Sequence, residues 1–449
     1  MSLQINGVKP VLCVQGHENR HDSEWCRYCG TAIMDYGTEL QQFLSTLIEQ
    51  ESHLKFVRDR IFLGTGDQGS KLLNDFYIDQ GRMIKRASFL LIDSSGDAQK
   101  LISRDSEVYS EVEYNSPLFL YRIPGSSNRQ LCYYGLGERL SSNDTTLSDR
   151  LLRAGINAVN GKQTVFLVSA LGGGAGSGIA PNVVERVKML NPESNKLAIV
   201  VTPAGDEPDS AHFNAFCSLS RLIKSDHGPL ADMLILIDYD RLMNANGIGS
   251  IGNELAAEAI LTHMVGILSA AGTDPAFTQT DIDYFVKMSR STGVYVYTPC
   301  IAAGRSLEIF GNLTNIMESA LASSLSPIDS ENITLSLAIV QIPKKILPRL
   351  KEGSIKIEIN KWNKEKFPNL KGSVVQISQS DIGTDRIDLC LLLGGNRLAY
   401  TAQHARDGFN RFKVIAEKEA WEQEFALNPS SLAEFEQAVA WYDNNLSTD

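Results

Sequence analysis

Six apolar runs of strand length, each with a turn or a helically spaced segment behind it, organise the middle of the chain. They fall at 60–64 (RIFLG), 89–92, 130–134, 164–171 (TVFLVSAL), 197–201 and 233–237. The runs at 164–171 and 197–201 are apolar at nearly every position, the mark of strands covered on both faces. Strand-helix alternation of this kind predicts an α/β, Rossmann-like domain with a parallel sheet over residues 60–248. Residues 249–272 are apolar around most of a helical circumference (Leu255, Ala259, Ile260, Leu261, Met264, Val265, Leu268), so a core helix buried between layers is predicted there. From residue 293 the pattern changes. Runs at 333–342, 355–359, 374–378 and 387–393, several alternating with period two, predict a mixed or antiparallel sheet and a second α+β domain over 273–400. Residues 401–449 read as acidic C-terminal helices with Trp421, Phe425, Phe435 and Trp441 on the apolar face. Residues 36–57 carry Leu40, Phe43, Leu44, Leu47, Ile48 and Leu54 at helical spacing, which predicts a linking helix over 34–59.

The chemistry concentrates where the fourth run ends. Gly172-Gly173-Gly174-Ala175-Gly176-Ser177-Gly178 joins that strand to a helical pattern over 179–189, with Pro181 tolerated in the first turn. Successive glycines let backbone N–H groups converge, and the positive end of the helix points at the same spot, so this is an anion site. The chain has no Gly-Lys-Ser/Thr tripeptide, which sets the loop apart from a P-loop. A flexible linker would lack the flanking strand and helix. A second glycine turn, Gly64-Thr65-Gly66-Asp67-Gln68-Gly69, follows the first run and precedes a helix from Ser70. On its own it also fits the dinucleotide turn of a Rossmann enzyme, with Asp93 near the place of a ribose-binding acid.

The string GGGAGSG resembles the signature loop of the tubulin and FtsZ superfamily, and the order of the other loops over about residues 60–400 is similar to that family. The resemblance implies GTP or GDP bound with Mg²⁺, and head-to-tail filaments as the form of self-association. It assigns the phosphates to Gly64, Gly66, Gln68 and Gly69, then to Asp97 of an Asp-Ala-Gln, to Gly137 of Gly135-Leu136-Gly137, and to Gly172, Gly173, Gly174, Ala175, Gly176, Ser177 and Gly178. The FtsZ first loop is richer in glycine, and Asp67 and Gln68 take two of those places. Glu207 is the match for a ribose-binding acid, Asn253 for a guanine-reading asparagine at the start of the core helix. Tyr239 in Asp238-Tyr239-Asp240-Arg241-Leu242 stands where the family has another guanine-reading asparagine. Residues 372–395 resemble the last hairpin of the FtsZ second domain, while the helices beyond are similar to tubulin. The family completes hydrolysis across the subunit interface, where an acid from one subunit orients water at the neighbour's γ-phosphate. The matching register, 276–281, lacks the first polar anchors of FtsZ and retains Asp281 as the catalytic acid, with Asp274 and Asp283 close by. A slow, assembly-dependent GTPase is implied. Alternatives are a non-hydrolysing GTP-bound scaffold and a Rossmann-type nucleotide enzyme.

Composition adds two features. A net charge of −11 over 449 residues argues against a broad nucleic-acid surface. No apolar run approaches the length of a membrane span, and the N-terminus lacks a secretory pattern, so a cytoplasmic protein is expected. Of seven cysteines, Cys13, Cys26 and Cys29 cluster. Cys13-x-x-x-His17 and Cys26-x-x-Cys29 at this spacing offer four N/S ligands for a tetrahedral Zn²⁺, with His21 the rival fourth ligand. Residues 1–33 therefore look like a small N-terminal zinc ribbon, a module suited to docking an adaptor protein. Cys132, Cys217, Cys300 and Cys390 sit among apolar residues and read as reduced core thiols.

Overall fold

The computed structural model describes residues 11–12, 17–19, 27–29, 58–81, 84, 86–94, 118–123, 133–225, 228–245, 253–270, 280–346, 352–380, 385–416, 427 and 429–446. It divides into two units, Met1–Arg58 and Asp59–Asp449. In the first, β1 (Val11–Leu12) and β2 (Glu18–Asn19) pair antiparallel, and residues 27–29 form a turn. The helix predicted over 34–59 lies outside the described residues, apart from its last two positions.

The second unit is built on one ten-stranded sheet. Its parallel part comprises β3 (Arg60–Thr65), β4 (Ala87–Asp93), β5 (Leu118–Arg122), β6 (Thr164–Ala170), β7 (Asn195–Thr202) and β8 (Met233–Asp238). In space these run β5-β4-β3-β6-β7-β8. The chain thus builds outward from β3 in one direction and then from β6 in the other. The crevice beyond the carboxyl ends of β3 and β6 is a topological switch point, where open α/β sheets bind ligands. Phe62 of β3 stands opposite Phe89 of β4 and Phe166 of β6, and its ring stacks on theirs at 4.6 and 4.9 Å between centroids.

Beyond β8 the sheet continues through β9 (Val296–Ser306), β12 (Arg386–Gly394), β10 (Leu335–Pro343) and β11 (Gly372–Ser380). β9 joins β8 in parallel, β12 is antiparallel to β9 and β10, and β11 is parallel to β10. The mixed sheet predicted beyond residue 293 is present. The expected final hairpin is not: β10 lies between β11 and β12, so those consecutive strands are not paired.

Helices cover both faces. One carries α1 (Gly66–Asp79), α5 (Asn253–Ala270) and α6 (Thr280–Thr292). Their Phe76, Met264, Val265 and Phe285 share one buried cluster with Phe62, Ile199, Leu337 and Leu392, so α5 spans the parallel and mixed parts of the sheet. The other face carries α2 (Tyr134–Asn143), α3 (Gly174–Leu190) and α4 (Asp209–Ile223), overlaid by α9 (Gln403–Ala416) and α10 (Pro429–Asn445). Phe409 of α9 stacks on Phe213 of α4 at 5.3 Å, and Phe435 of α10 is buried edge-on against Tyr134. Trp421 and Phe425 lie outside the described residues. Helices α7 (Leu313–Ala322) and α8 (Glu352–Lys366) pack on the mixed part.

Two predicted strands differ. The third strand is Leu118–Arg122, not 130–134, and Tyr134 instead opens α2. Residues 355–359 lie in α8, where Ile355 and Ile359 are buried while Ile357 is 71% exposed. Among the described residues no helix is long and apolar enough to cross a membrane.

Candidate functional site

Two of the longer helices begin at the switch point with no side-chain cap. The residue capping α1 is Thr65, in extended conformation with no side-chain hydrogen bond to the helix, and α3 starts from Gly173, which has no side chain to offer. Some other helix starts are capped, as where Asp238 accepts from Arg241 N and Asn312 from Asn315 N, while those of α2 and α4 are not. The first-turn N–H groups of α1 and α3 are thus left for a ligand, with the positive ends of both dipoles. The turns touch. Gly66 has φ +71°, and a Cβ on it would stand 2.7 Å from Gly176 Cα, so only glycine allows this approach.

The turns open onto a cleft of about 700 Å³. Of the residues predicted from sequence, Gly66, Gln68, Gly172, Gly173, Ala175, Gly176, Glu207 and Tyr239 line it. Glu207 accepts from Ala204 N at 3.0 Å, and its other carboxylate oxygen would lie 3.3 Å from a Cβ on Gly172. The other glycines of the loops serve close packing. A Cβ on Gly64 would meet Gly69 O at 2.9 Å, and one on Gly69 would meet Val168 O at 2.5 Å. Gly137 lies in the first turn of α2 instead of a loop facing the phosphates, and with Gly178 it lets the backbones of α2 and α3 meet. Gly174 and Ser177 are buried, and the Ser177 hydroxyl donates to Leu171 O. Asp97, Asp274, Cys13, His21 and Cys26 lie outside the described residues, as do the side chains of Asn253 and Asp281, the first residue of α5 and the second of α6. Asp93 is 2% exposed and accepts from Ser94 N at 2.7 Å.

Three groups were not anticipated from sequence. Lys71 on α1 and Glu258 on α5 both line the cleft and form a 2.5 Å ion pair. Burial first, then the charge of Glu258, raises the carboxyl of Asp75, one turn further along α1. Asn214 of α4 is 1% exposed; it accepts from Tyr134 N at 2.7 Å and donates to Gly172 O at 3.0 Å, tying the glycine loop to the start of α2. Glu258 could have been noticed as an acid interrupting an apolar helix.

Asp281 is the second residue of α6, whose start lies by the amino end of β7. Asp283, two residues on, pairs with Lys162 at 2.9 Å and accepts from Asn195, the first residue of β7. Arg290, near the end of α6, holds Asp232 just before β8 at 2.8 Å. Asp283 is therefore engaged within its own chain.

In the N-terminal unit, Asn19 donates to His17 O at 2.8 Å and accepts from Arg27 N at 3.1 Å, and the rings of His17 and Tyr28 lie 5.5 Å apart. These bonds bring the turn that carries Cys29 beside His17. Among the described residues, no group of three or more His, Cys, Asp or Glu could hold a metal.

Comparison with known proteins agrees with this geometry. Residues 61–247 match the family described as Tubulin/FtsZ family, GTPase domain. A stretch of 93 residues, 20% of the chain, is 37% identical to the cell division protein FtsZ of Haloferax mediterranei, and it spans 22% of that relative's length. Among solved structures, the chain is similar to CetZ2 from Haloferax volcanii in a GTPgS-bound protofilament (TM-score 0.60, 18% identity, 79% of this chain and 99% of that one). It is also similar to an empty FtsZ dimer from M. jannaschii (TM-score 0.57, 16% identity, 80% and 93%). At these identities the structural likeness concerns the fold. Residues 61–247 are thus similar to the GTPase domain of the Tubulin/FtsZ family.

Proposed function

We propose that the cleft binds GTP and that the chain assembles head to tail, with hydrolysis completed between subunits. The observation that carries the assembly reading is the separation of the two half-sites. The cleft lies at the carboxyl ends of β3 and β6, whereas the start of α6, which bears Asp281, is tied through Asp283 to the amino end of β7. Eight residues of β7 put about 26 Å between those edges. One chain cannot bring Asp281 to its own cleft, but a copy stacked along the strand direction can. The GTPgS-bound protofilament of CetZ2, similar in fold, supports the same arrangement.

In this reading the uncapped N–H groups of α1 and α3 hold the phosphates. Glu207 accepts from the ribose hydroxyls, and Tyr239 and Asn253 sit at the base. Mg²⁺, when bound, neutralises charge developing on the transferred phosphoryl group. Asp281 accepts a hydrogen bond from water and orients it toward the neighbour's γ-phosphate, a positioning role. The Asp283–Lys162 pair and the Arg290–Asp232 pair fix both ends of α6, the helix that carries Asp281. For the N-terminal unit, Cys13, His17, Cys26 and Cys29 would hold Zn²⁺, and the His17–Tyr28 contact supports it.

The test is GTP-dependent pelleting and phosphate release measured on the same samples. Wild type is expected to pellet with GTP and release phosphate slowly, more per chain at higher protein concentration. Asp281→Ala should pellet longer while releasing little phosphate. Phosphate release from Asp281→Ala at the wild-type rate would remove Asp281 from the mechanism. GTP binding with neither pelleting nor turnover at any concentration would leave a nucleotide-bound scaffold.

A further inference from the structure

The charge of the chain is unevenly spread. Residues 344–371 hold nine lysines and arginines against three glutamates, a balance of +6 in a chain of −11, so the remainder carries −17. This stretch contains α8, and the structure sorts that helix by face. Ile355, Ile359, Trp362 and Asn363 are buried toward the sheet. On the opposite side, at i, i+4 and i+7, stand Ile357, Lys361 and Lys364, all exposed, with Lys356 half-buried beside them. The acids of α8 do not cancel this crest. Glu358 accepts from both the backbone N and the hydroxyl of Thr314 on α7, and Glu365 lies 3.8 Å from Lys361 in an exposed i, i+4 pair, a contact worth little.

Ile357 is 71% exposed at this crest, and Ile309, in the short helix Leu307–Phe310 on the same face of the mixed sheet, is 83% exposed. What would cover such a surface follows from its chemistry. Among the described residues of 344–371 every cation is a lysine, and Trp362, the one aromatic residue of α8, is buried. The crest therefore lacks the arginines and exposed rings from which protein hot spots and nucleic-acid sites are built. Lysines are point charges on long apolar stems, suited to a diffuse anionic layer more than to fork-like pairing with one carboxylate. A branched aliphatic side chain between them can enter a headgroup layer while the ammonium groups reach its phosphates. Because the buried positions face the sheet, the crest points away from it, across the strand direction, and copies stacked along the strands leave it open.

We propose that the outer face of α8 docks the chain peripherally on an anionic lipid surface, with Ile357 inserted among the headgroups and Lys361 and Lys364 paired with lipid phosphates. The charge complementarity supplies attraction over the Debye length, and the isoleucine supplies what a purely electrostatic partner would not use.

The experiment is sedimentation of the full chain with lipid vesicles, without GTP, so that the outcome is independent of assembly. Vesicles of about one part phosphatidylserine to three parts phosphatidylcholine are compared with phosphatidylcholine alone. Wild type is expected to bind the anionic vesicles, to leave them as NaCl rises from about 50 mM to about 500 mM, and not to bind phosphatidylcholine. The double variant Lys361→Gln/Lys364→Gln should bind on the order of 25-fold more weakly, at about fivefold for each lysine near the surface. Ile357→Ser, which changes no charge, should bind at least about 10-fold more weakly. All three positions are exposed, so an unchanged denaturation midpoint is the control for folding. Wild type that binds both kinds of vesicle alike, or neither, overturns the proposal, as does either variant binding the anionic vesicles as wild type does. Tight binding of polyglutamate that the lysine variant loses and Ile357→Ser keeps, without binding to vesicles, would make the occupant an acidic protein and overturn it too.

Discussion

Glycines 173 and 176 belong to the same loop, yet substituting them should have opposite consequences. Gly173 has φ −86° and ψ 151°, which any residue adopts, and a Cβ built there meets nothing within 4 Å. Gly173→Val should leave folding stability within about 0.5 kcal/mol of wild type. Its side chain, however, would project at the start of α3, into the lining of the cleft, and screen the first-turn N–H groups. At about 1.5–3 kcal/mol for each charge-assisted hydrogen bond, losing two costs at least about 100-fold in nucleotide affinity. Gly176 is buried, and a Cβ there would come under 3.0 Å from Ala170 O and 3.3 Å from Ser169 Oγ. The carbonyl is backbone of β6 and cannot swing aside, so strand and helix must part. Gly176→Ala should cost about 1–3 kcal/mol of stability. Chemical denaturation followed by tryptophan fluorescence, with a fluorescent GTP analogue titrated into the same preparations, separates the two effects. Gly173→Val binding as tightly as wild type would show that the helix start is not the phosphate cradle. Gly176→Ala as stable as wild type would show that the turn is not packed against β6 as described.

Two further outcomes follow from other parts of the chain. His212 on α4 is 1% exposed with its ring 6.3 Å from that of His404 on α9; burial first, then the charge of His404, lowers its pKa, against the raising effect of Glu207 and Asp209. The unfolded chain therefore takes up this proton more readily, so the stability is present above the ordinary value of 6.5 and is lost as pH falls below it. Denaturation midpoints at about pH 7.5 and about pH 5.5 should converge in His212→Gln relative to wild type, and an unchanged difference would exclude His212 as the cause. Elemental analysis of protein purified without chelator should find about one zinc per chain, lost in Cys26→Ser with GTP binding retained. Zinc-free wild type would remove the metal from the account.

What could be read from sequence was whatever short-range pattern determines. The run TVFLVSAL and the glycines behind it predicted a strand, a turn and a helix over 179–189; the structure has the strand at Thr164–Ala170 but starts the helix earlier, at Gly174, so that Gly174–Gly178 belong to the helix and Pro181 lies inside it and not in its first turn. Period two misled at 355–359, because a five-residue window cannot tell alternation from helical spacing. Ile355, Ile359 and Trp362, buried at i, i+4 and i+7, declare the helix over a longer one. The third strand was misplaced because β5 is an edge strand, half-exposed at most positions, and its apolar signal is no stronger than that of residues 130–134. The glycine turns were legible as a place where strand ends meet helix starts, and both line the cleft, but the division of labour within them was not legible. Gly173 faces the cleft and Gly178 faces α2, a difference set by which helix packs alongside and not by the local string. The Lys71–Glu258 pair joins residues 187 positions apart, and only the packing of α1 against α5 makes them neighbours.

The central claim is that the cleft at the switch point is a guanine-nucleotide site. It is tested most directly by denaturing the purified full chain and resolving whatever it releases by anion-exchange chromatography. The account predicts GTP or GDP in stoichiometric amount from wild type and none from Gly173→Val. NAD in the released fraction, or guanine nucleotide retained equally by Gly173→Val, would contradict it.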